Sequence, residues 1–479
     1  MKKNKKTKAS RPDIANAVKN IAAVQTRRPT ISKKLRTTAG RKLSATGIII
    51  IGFALMVLLG ALLLMLPISS KERCFTDPAR AFFTAVSASC VTGLTVLPTG
   101  AYWSLFGQLI ILILIQIGGL GFMTMAVMLS IFVKRQITPR ERLIAAQALG
   151  LNGSGGTVRL VKRILRGTFA IEAVGALILT FRFIPKYNIA KSIYYGIFHS
   201  ISSFCNAGFD LLDGFKGFER DYVLCSVLML LVVLGGIGFI VWDDIVNLIF
   251  KRQRVSIYTK LVLIVTIFLL VSGTALIALF EWNNPATLGG MSVGDKLVQS
   301  LFQSVTTRTA GIDLIGNADM TESSKLVCLF LMLIGGASGS TAGGVKVATF
   351  GVIVLAVAGS ACGRSEINIG NRKIPHSMVI RALTVFSINL TAGIVGGLLV
   401  SVRESVPLLT ALYETISAIS TVGLSFSLSP TLSVFSMIID MLLMFFGRVG
   451  ILTITYTIML NQARKDGVIT YPEADLLIG

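Results

Sequence analysis

The chain has 479 residues, 53% of them hydrophobic and only 14% charged, and carries a formal charge of +23. That balance excludes an ordinary soluble domain, and several uncharged apolar runs reach the ~20 residues needed to cross a bilayer. The charge does not mark a nucleic-acid binder, because residues 1–42 alone hold 14 Lys and Arg against one acid, Asp13. Such a block reads as a solvated cytoplasmic tail, with anionic membrane lipid as its sharper alternative contact. Its charged region is too long for a signal peptide.

The first span is 44–66, uncharged and stopped by Pro67. A run at 81–89, too short to cross a bilayer, then leads into Cys90-Val91-Thr92-Gly93-Leu94-Thr95-Val96. This pattern predicts half a helix going in and an extended backbone coming out, turned by a Gly that can take φ > 0. A selectivity filter is built that way, with backbone carbonyls replacing the water around an ion. The second span, 105–133, ends in Lys134-Arg135.

The order span, pore helix, filter, span then recurs. The second copy has spans 167–184 and 222–250 around Phe198-His199-Ser200-Ile201-Ser202-Ser203-Phe204-Cys205-Asn206-Ala207-Gly208-Phe209. The third has spans 257–280 and 325–359 around Phe302-Gln303-Ser304-Val305-Thr306-Thr307-Arg308-Thr309-Ala310-Gly311-Ile312, one residue shorter between aromatic and Gly. The fourth has spans 378–402 and 432–460 around Tyr413-Glu414-Thr415-Ile416-Ser417-Ala418-Ile419-Ser420-Thr421-Val422-Gly423-Leu424. The predicted fold is an all-α polytopic membrane protein, with four parallel span–pore helix–filter–span repeats around one central pore. Its parts are a basic tail 1–43 and repeats at 44–142, 143–254, 255–370 and 371–479, the last including the C-terminal segment.

Lys and Arg gather in the tail and in the linkers after each outgoing span, so both termini are expected to be cytoplasmic and the filters to open outside. Arg182, Lys186 and Lys191 are a local exception. An even number of spans per unit makes the repeats parallel about an axis along the membrane normal. The six Cys are scattered without a C-x-x-C pair, and His199 and His376 fall in different repeats. A zinc site or an intramembrane enzyme is therefore not expected. Cys90 and Cys205, beside two filters, read as small packing residues.

Three further features bear on mechanism. The stretch Gly335-Gly336-Ala337-Ser338-Gly339-Ser340-Thr341-Ala342-Gly343-Gly344 interrupts a span, since a helix does not persist through so many Gly and Ser. Non-helical backbone at that depth must be buried in protein or line a cavity; a small-residue packing face is the plainer alternative. Lys346 follows, but the Gly-Lys-Ser/Thr order of a phosphate loop is missing. Arg448 lies too deep in its span to reach the interface, so it faces either a cavity or a buried partner. Arg308 and Glu414 are expected to pair locally and brace pore helices, and Asp243 and Asp244 to sit at a span end as solvated or partner-facing charges.

The four motifs Cys-Val-Thr-Gly-Leu-Thr, Phe-Cys-Asn-Ala-Gly-Phe, Thr-Arg-Thr-Ala-Gly-Ile and Ser-Thr-Val-Gly-Leu-Ser resemble those of the Trk/Ktr/HKT superfamily of cation transporters, from about residue 44 to the end. Within it the chain looks most like the KtrB-type membrane subunits of bacterial Ktr potassium uptake systems, and 471–479 resembles their ending. The resemblance implies that Gly93, Gly208, Gly311 and Gly423 mark the filter. It places the carbonyls of Val91, Thr92, Asn206, Ala207, Thr309, Ala310, Thr421 and Val422 near K⁺. In plant relatives a Ser at the first of these glycines goes with Na⁺ selectivity; all four are Gly here. It further implies a gate at 335–344 with Lys346 nearby, and Arg448 as an electrostatic barrier to cations. A homodimer in the bacterial cytoplasmic membrane would sit on a KtrA-like cytosolic ring, with ATP or ADP bound to that partner and no cofactor in this chain. The expected function is potential-driven K⁺ uptake, with Na⁺ stimulation as an open point. The alternative is a non-conducting membrane scaffold.

Overall fold

The computed structural model describes residues 45–121, 127, 157–212, 214–215, 217–218, 220–252, 254–364, 366–370 and 372–450. The basic tail, the span ends at 128–133 and 451–460, and the C-terminal segment 471–479 lie outside these residues.

Repeat one comprises α1 (Ala45–Met65), α2 (Pro78–Cys90) and α3 (Leu105–Leu120). Repeat two comprises α4 (Thr157–Phe183), α5 (Ile189–Phe204), α6 (Tyr222–Gly236) and α7 (Phe239–Lys251). Repeat three comprises α8 (Ile257–Glu281), α9 (Val293–Thr306), α10 (Glu322–Leu333) and α11 (Val347–Ala361). Repeat four comprises α12 (His376–Glu404), α13 (Leu408–Ser420) and α14 (Val434–Phe445), which runs into a π-helical turn, Phe446–Gly450. One departure from an all-α chain is a two-stranded ladder, β1 (Asn368–Ile369) with β2 (Arg372–Lys373), between repeats three and four.

The incoming helices α1, α4, α8 and α12 are unbroken and apolar enough to span a bilayer. On α1, Leu55, Leu59 and Leu62 are exposed while Phe53, Val57, Ala61 and Leu64 pack inward, as a helix that is apolar all round does in lipid. The short helices α2, α5, α9 and α13 form the core, and their aromatics Phe83, Phe198, Phe302 and Tyr413 are all buried. Each outgoing helix starts on a side-chain cap. Ser104 accepts from the Gly107 N–H, Asp221 from Val223 and Leu224, Thr321 from Ser324, and Ser433 from Ser436. Each such cap contributes about 1 kcal/mol.

The outgoing helices depart from the sequence expectation. The predicted spans 222–250 and 325–359 are not continuous. The first bends by 99° between α6 and α7, and the second is split by the loop between α10 and α11. Helix α3 stops at Gly121 with φ +84°, and α14 unwinds into its π turn. All four breaks fall on related glycine clusters: Gly118-Gly119-Leu120-Gly121, Gly235-Gly236-Ile237-Gly238, Gly335-Gly336-Ala337-Ser338-Gly339 and Gly447-Arg448-Val449-Gly450. The leading glycines are there for contact. A Cβ on Gly118, Gly235 or Gly447 would land on the carbonyl of Ser89, Phe204 or Ile419, in the last turn of the same repeat's pore helix.

Candidate functional site

Each pore helix ends in a closely similar backbone turn, the third one residue tighter than the others. The amides of Thr92, Ala207, Ala310 and Val422 donate back to Ser87, Ser202, Thr306 and Ser417 at 2.8, 2.8, 2.9 and 2.8 Å. Val91, Asn206, Thr309 and Thr421 have φ of +59, +59, +67 and +51°, and the glycines two residues on have φ of +92, +68, +71 and +96°. The left-handed region costs an ordinary residue about 1–2 kcal/mol, so four equivalent residues hold it only because the turn is fixed from behind. Hydroxyls do the fixing. Ser87 and Ser417 Oγ accept from the Gly93 and Gly423 N–H at 3.1 and 3.0 Å, and Ser202 and Thr306 donate to the carbonyls of Phe209 and Ile312 at 2.7 Å. Sequence reasoning saw these only as Ser and Thr within the pore helices; their recurrence ahead of each glycine was the available signal.

The four turns close on one another. A Cβ on Gly93 would stand 2.5 Å from the Ala207 carbonyl oxygen, and one on Gly208 would stand 3.0 Å from that of Ala310. On Gly311 it would meet the Val422 oxygen, and on Gly423 the Thr92 oxygen. Repeat one thus touches two, two touches three, three touches four, and four returns to one. Twelve predicted residues, Val91-Thr92-Gly93, Asn206-Ala207-Gly208, Thr309-Ala310-Gly311 and Thr421-Val422-Gly423, form one ring, with glycines where backbones approach too closely for a side chain.

Against the ring, at Asn206 and Thr421, packs the 335–344 loop. Its neck is the Ile334–Val345 bridge, with Gly335 N–H donating to Val345 O at 2.9 Å and Val345 N–H to Leu333 O at 3.2 Å. The broken helix of repeat two satisfies much of the remaining backbone. Ala337 and Thr341 N–H donate to the Gly236 and Gly235 carbonyls at 2.8 and 3.2 Å, and Phe239 N–H donates to Gly339 O at 2.8 Å. The α6–α7 bend, which sequence reasoning missed, is therefore the loop's hydrogen-bond complement: each supplies what the other's lost helix leaves unpaired. Thr341 Oγ1 also donates to Phe204 O and Asn206 Oδ1, both at 3.1 Å, tying the loop to the second filter segment.

Arg448, half-buried in the π turn, joins three repeats. Its Nη1 donates to Thr341 O at 2.5 Å, and its Nη2 to Gly118 O at 2.6 Å and Gly119 O at 3.2 Å. The guanidinium thus spans from the loop of repeat three to the carbonyl end of α3, where a helix favours positive charge. Lys346 Nζ closes the loop from the other side on Ala342 O, at 2.8 Å. Ser338 and Ser340 lie at the loop's less buried tip, with Ser338 O accepting from the Tyr258 hydroxyl at 3.2 Å.

The expected Arg308–Glu414 pair does not form. Arg308 Nη1 donates to Ile334 O at 2.5 Å, at the end of α10 where helical carbonyls lack partners, while Glu414 accepts from Ser429. Asp243 pairs with Arg163, and Asp244 accepts from Ser256 and Thr259 hydroxyls, both at 2.5 Å, at the start of α8. His199 has both ring nitrogens engaged, by Tyr195 O at 2.7 Å and the Leu211 N–H at 3.1 Å.

Local packing at the glycine clusters makes a sharp prediction. A Cβ on Gly235 would stand 2.7 Å from both Asn206 Oδ1 and Thr341 Oγ1, whereas one on Gly236 meets only Asn206 Nδ2 at 3.6 Å. Gly235→Ala is expected to destabilise the protein by about 1–3 kcal/mol through overpacking, and Gly236→Ala to leave thermal unfolding near wild type.

The model of the family TrkH, described as cation transport protein, matches residues 17–465. The chain belongs to this family. Among TrkH relatives, the potassium/sodium uptake protein NtpJ of Enterococcus hirae is 37% identical over 92% of this chain and 98% of its own. The Ktr system potassium uptake protein B of Bacillus subtilis is 39% identical over 90% of this chain and 96% of its own. The crystal structure of the potassium transporter TrkH from Vibrio parahaemolyticus superposes with a TM-score of 0.66, covering 89% of this chain and 86% of that one at 20% identity, which fixes the shared fold. Four spanning helices and one bent pair among the described residues make this a multi-pass membrane protein of a transporter family, not of an enzyme family.

Proposed function

We propose that the chain is the K⁺-conducting membrane subunit of a Ktr-type uptake system. The ring of four left-handed turns carries this reading. Val91, Thr92, Asn206, Ala207, Thr309, Ala310, Thr421 and Val422 supply carbonyls that stand in for the hydration shell of K⁺, with the glycines setting the ring's width. An inside-negative potential supplies about 2.3 kcal/mol per charge per 100 mV, so uptake needs no hydrolysis in this chain.

The 335–344 loop is the gate, and Arg448 holds it across the path below the ring. Its hydrogen bonds to α6, α7 and Arg448 hold it in one packed arrangement, which must be exchanged for another when the path opens. A KtrA-like cytosolic ring that binds ATP or ADP shifts it, and the subunit works as a homodimer in the bacterial cytoplasmic membrane. Both termini are cytoplasmic, the tail 1–43 is a solvated basic segment with anionic lipid as its alternative contact, and the repeats run 44–142, 143–254, 255–370 and 371–479. Na⁺ stimulation fits the name of the Enterococcus hirae relative, a potassium/sodium uptake protein.

Rubidium uptake into proteoliposomes under an imposed potential tests the reading, with Na⁺ and K⁺ as competitors. Potential-driven uptake that K⁺ suppresses well below equimolar Na⁺ is the expected result. Folded protein that carries no rubidium, with or without the cytosolic partner, would point to a non-conducting scaffold.

A further inference from the structure

Helix α7 carries an apolar stripe that no described residue covers. Val246, Ile249 and Phe250 are 39, 66 and 80% exposed and share one face, at i, i+3 and i+4. The other faces are occupied. Val241 is buried, Asp243 pairs with Arg163 of α4, and Asp244 accepts from the Ser256 and Thr259 hydroxyls at the first turn of α8.

The bend before α7 sets its depth. Helix α6 has 15 residues and so rises about 22 Å, against a bilayer hydrocarbon about 30 Å thick. Starting from the outer boundary, it is still about 8 Å inside the inner one where the chain turns by 99°. Helix α7 then runs along the membrane, at the depth of about 5–10 Å that an interfacial helix occupies. The contact of Asp244 with the first turn of α8, a full span, puts the middle of α7 near the same boundary. Positive charge gathers there. Arg252 and Arg254 follow α7, and Arg159, Lys162 and Arg166 stand on the turns of α4 around Arg163, all exposed. The two acids of α7 are engaged by Arg163 and by hydroxyls, so these five cations are left for an outside anion.

We propose that α7, with Arg252, Arg254 and the basic end of α4, binds an anionic phospholipid of the cytoplasmic leaflet. This rests on the topology given above, in which the linkers after the outgoing spans are cytoplasmic. The acyl chains cover Val246, Ile249 and Phe250, and the phosphate meets the basic side chains, the combination by which amphipathic helices hold anionic membrane. The site is tied to the 335–344 loop. Phe239 N–H, at the start of α7, donates to Gly339 O at 2.8 Å. The Tyr258 hydroxyl, from the α8 turn that Asp244 braces, donates to Ser338 O at 3.2 Å. A lipid that holds α7 therefore also holds the tip of the loop.

The test uses the full-length protein with Trp103→Phe and Trp282→Phe, which leaves Trp242 on α7 as the last of its three Trp. It is placed in phosphatidylcholine nanodiscs that contain a graded fraction of either brominated phosphatidylglycerol or brominated phosphatidylcholine, whose acyl-chain bromine quenches a Trp on contact. Trp242 is half-buried, one turn before Val246. Both lipids should quench it, phosphatidylglycerol at the lower mole fraction. A basic residue near the surface is worth about fivefold in binding anionic lipid. Arg252→Gln together with Arg254→Gln should therefore shift the phosphatidylglycerol curve by about tenfold or more and leave the phosphatidylcholine curve in place. Equal quenching by the two lipids overturns the proposal, as does a preference that survives both Arg substitutions. Quenching by neither also overturns it, and would put a protein surface, from a second copy or another chain, over the stripe. If the Trp variants do not fold, thermal unfolding of the protein with its native Trp decides, in the same lipids without bromine. A midpoint that rises saturably with phosphatidylglycerol, and rises less in the double Arg variant, supports the site; no rise, or an equal one in both, overturns it. Neither readout involves ion flux, so failure here and failure of the conduction reading are distinguishable.

Discussion

Gly311→Ser is expected to abolish K⁺-selective uptake while leaving a folded protein. The substituted Cβ would meet the Val422 carbonyl oxygen, with Gly423 Cα at 3.1 Å and Gly208 Cα at 3.2 Å. It wedges between the neighbouring repeats on both sides at once. The backbone there sits at φ +71°, a conformation that costs a non-glycine residue about 1–3 kcal/mol. Both strains are relieved in one way, by widening the ring or by turning the Val422 carbonyl out of it. Either outcome replaces a carbonyl contact of the ion with water or a hydroxyl, and discrimination against Na⁺ should fall by about tenfold or more, as one coordinating group of 1.4 kcal/mol or above would set. The ratio of rubidium uptake under K⁺ and Na⁺ competition reads this directly. Gly290→Ser is the control, because its Cβ meets nothing within 4 Å. Equal selectivity in the two variants would remove Gly311 from the ring's function.

The repeat was legible because its signal is local. A short half-apolar run, a glycine and a large apolar residue can be read wherever they recur, and the four turns hold the residues expected of them. The long incoming spans were equally plain, since α1, α4, α8 and α12 are continuous. Tertiary partnership was not legible. The bend at Gly236–Gly238 looked like two more apolar residues among many, and its meaning lies in the carbonyls it frees for Ala337 and Thr341, distant in sequence. Arg308 and Glu414 misled for the same reason. Opposite charges beside neighbouring filters invite pairing, yet the exposed carbonyl end of α10 was the nearer demand on Arg308. A tally of Gly-Gly-x-Gly roughly 25 residues beyond each filter glycine would have found the four breaks together, with Ser338 in place of the last glycine in the third and Arg448 in place of the second glycine in the fourth.

That substitution is the basis of the second large expectation: Arg448→Gln should raise rubidium flux by roughly tenfold. A unit charge on the order of 10 Å from a passing K⁺, at an effective dielectric constant of ~20, raises the ion's energy by about 1.7 kcal/mol, and removing it returns that factor to the rate. Charge is not the whole role, because the guanidinium also fastens Thr341 O to Gly118 O and Gly119 O. Arg448→Lys separates the two. Lysine keeps the charge as a point and loses the planar fork that reaches both neighbours. If the charge sets the barrier, Lys stays near wild-type flux while Gln rises; if the anchoring of the loop sets it, both variants rise together. Flux unchanged in a folded Arg448→Gln protein would deny Arg448 either role, and the loop would then have to be held shut by its bonds to α6 and α7 alone.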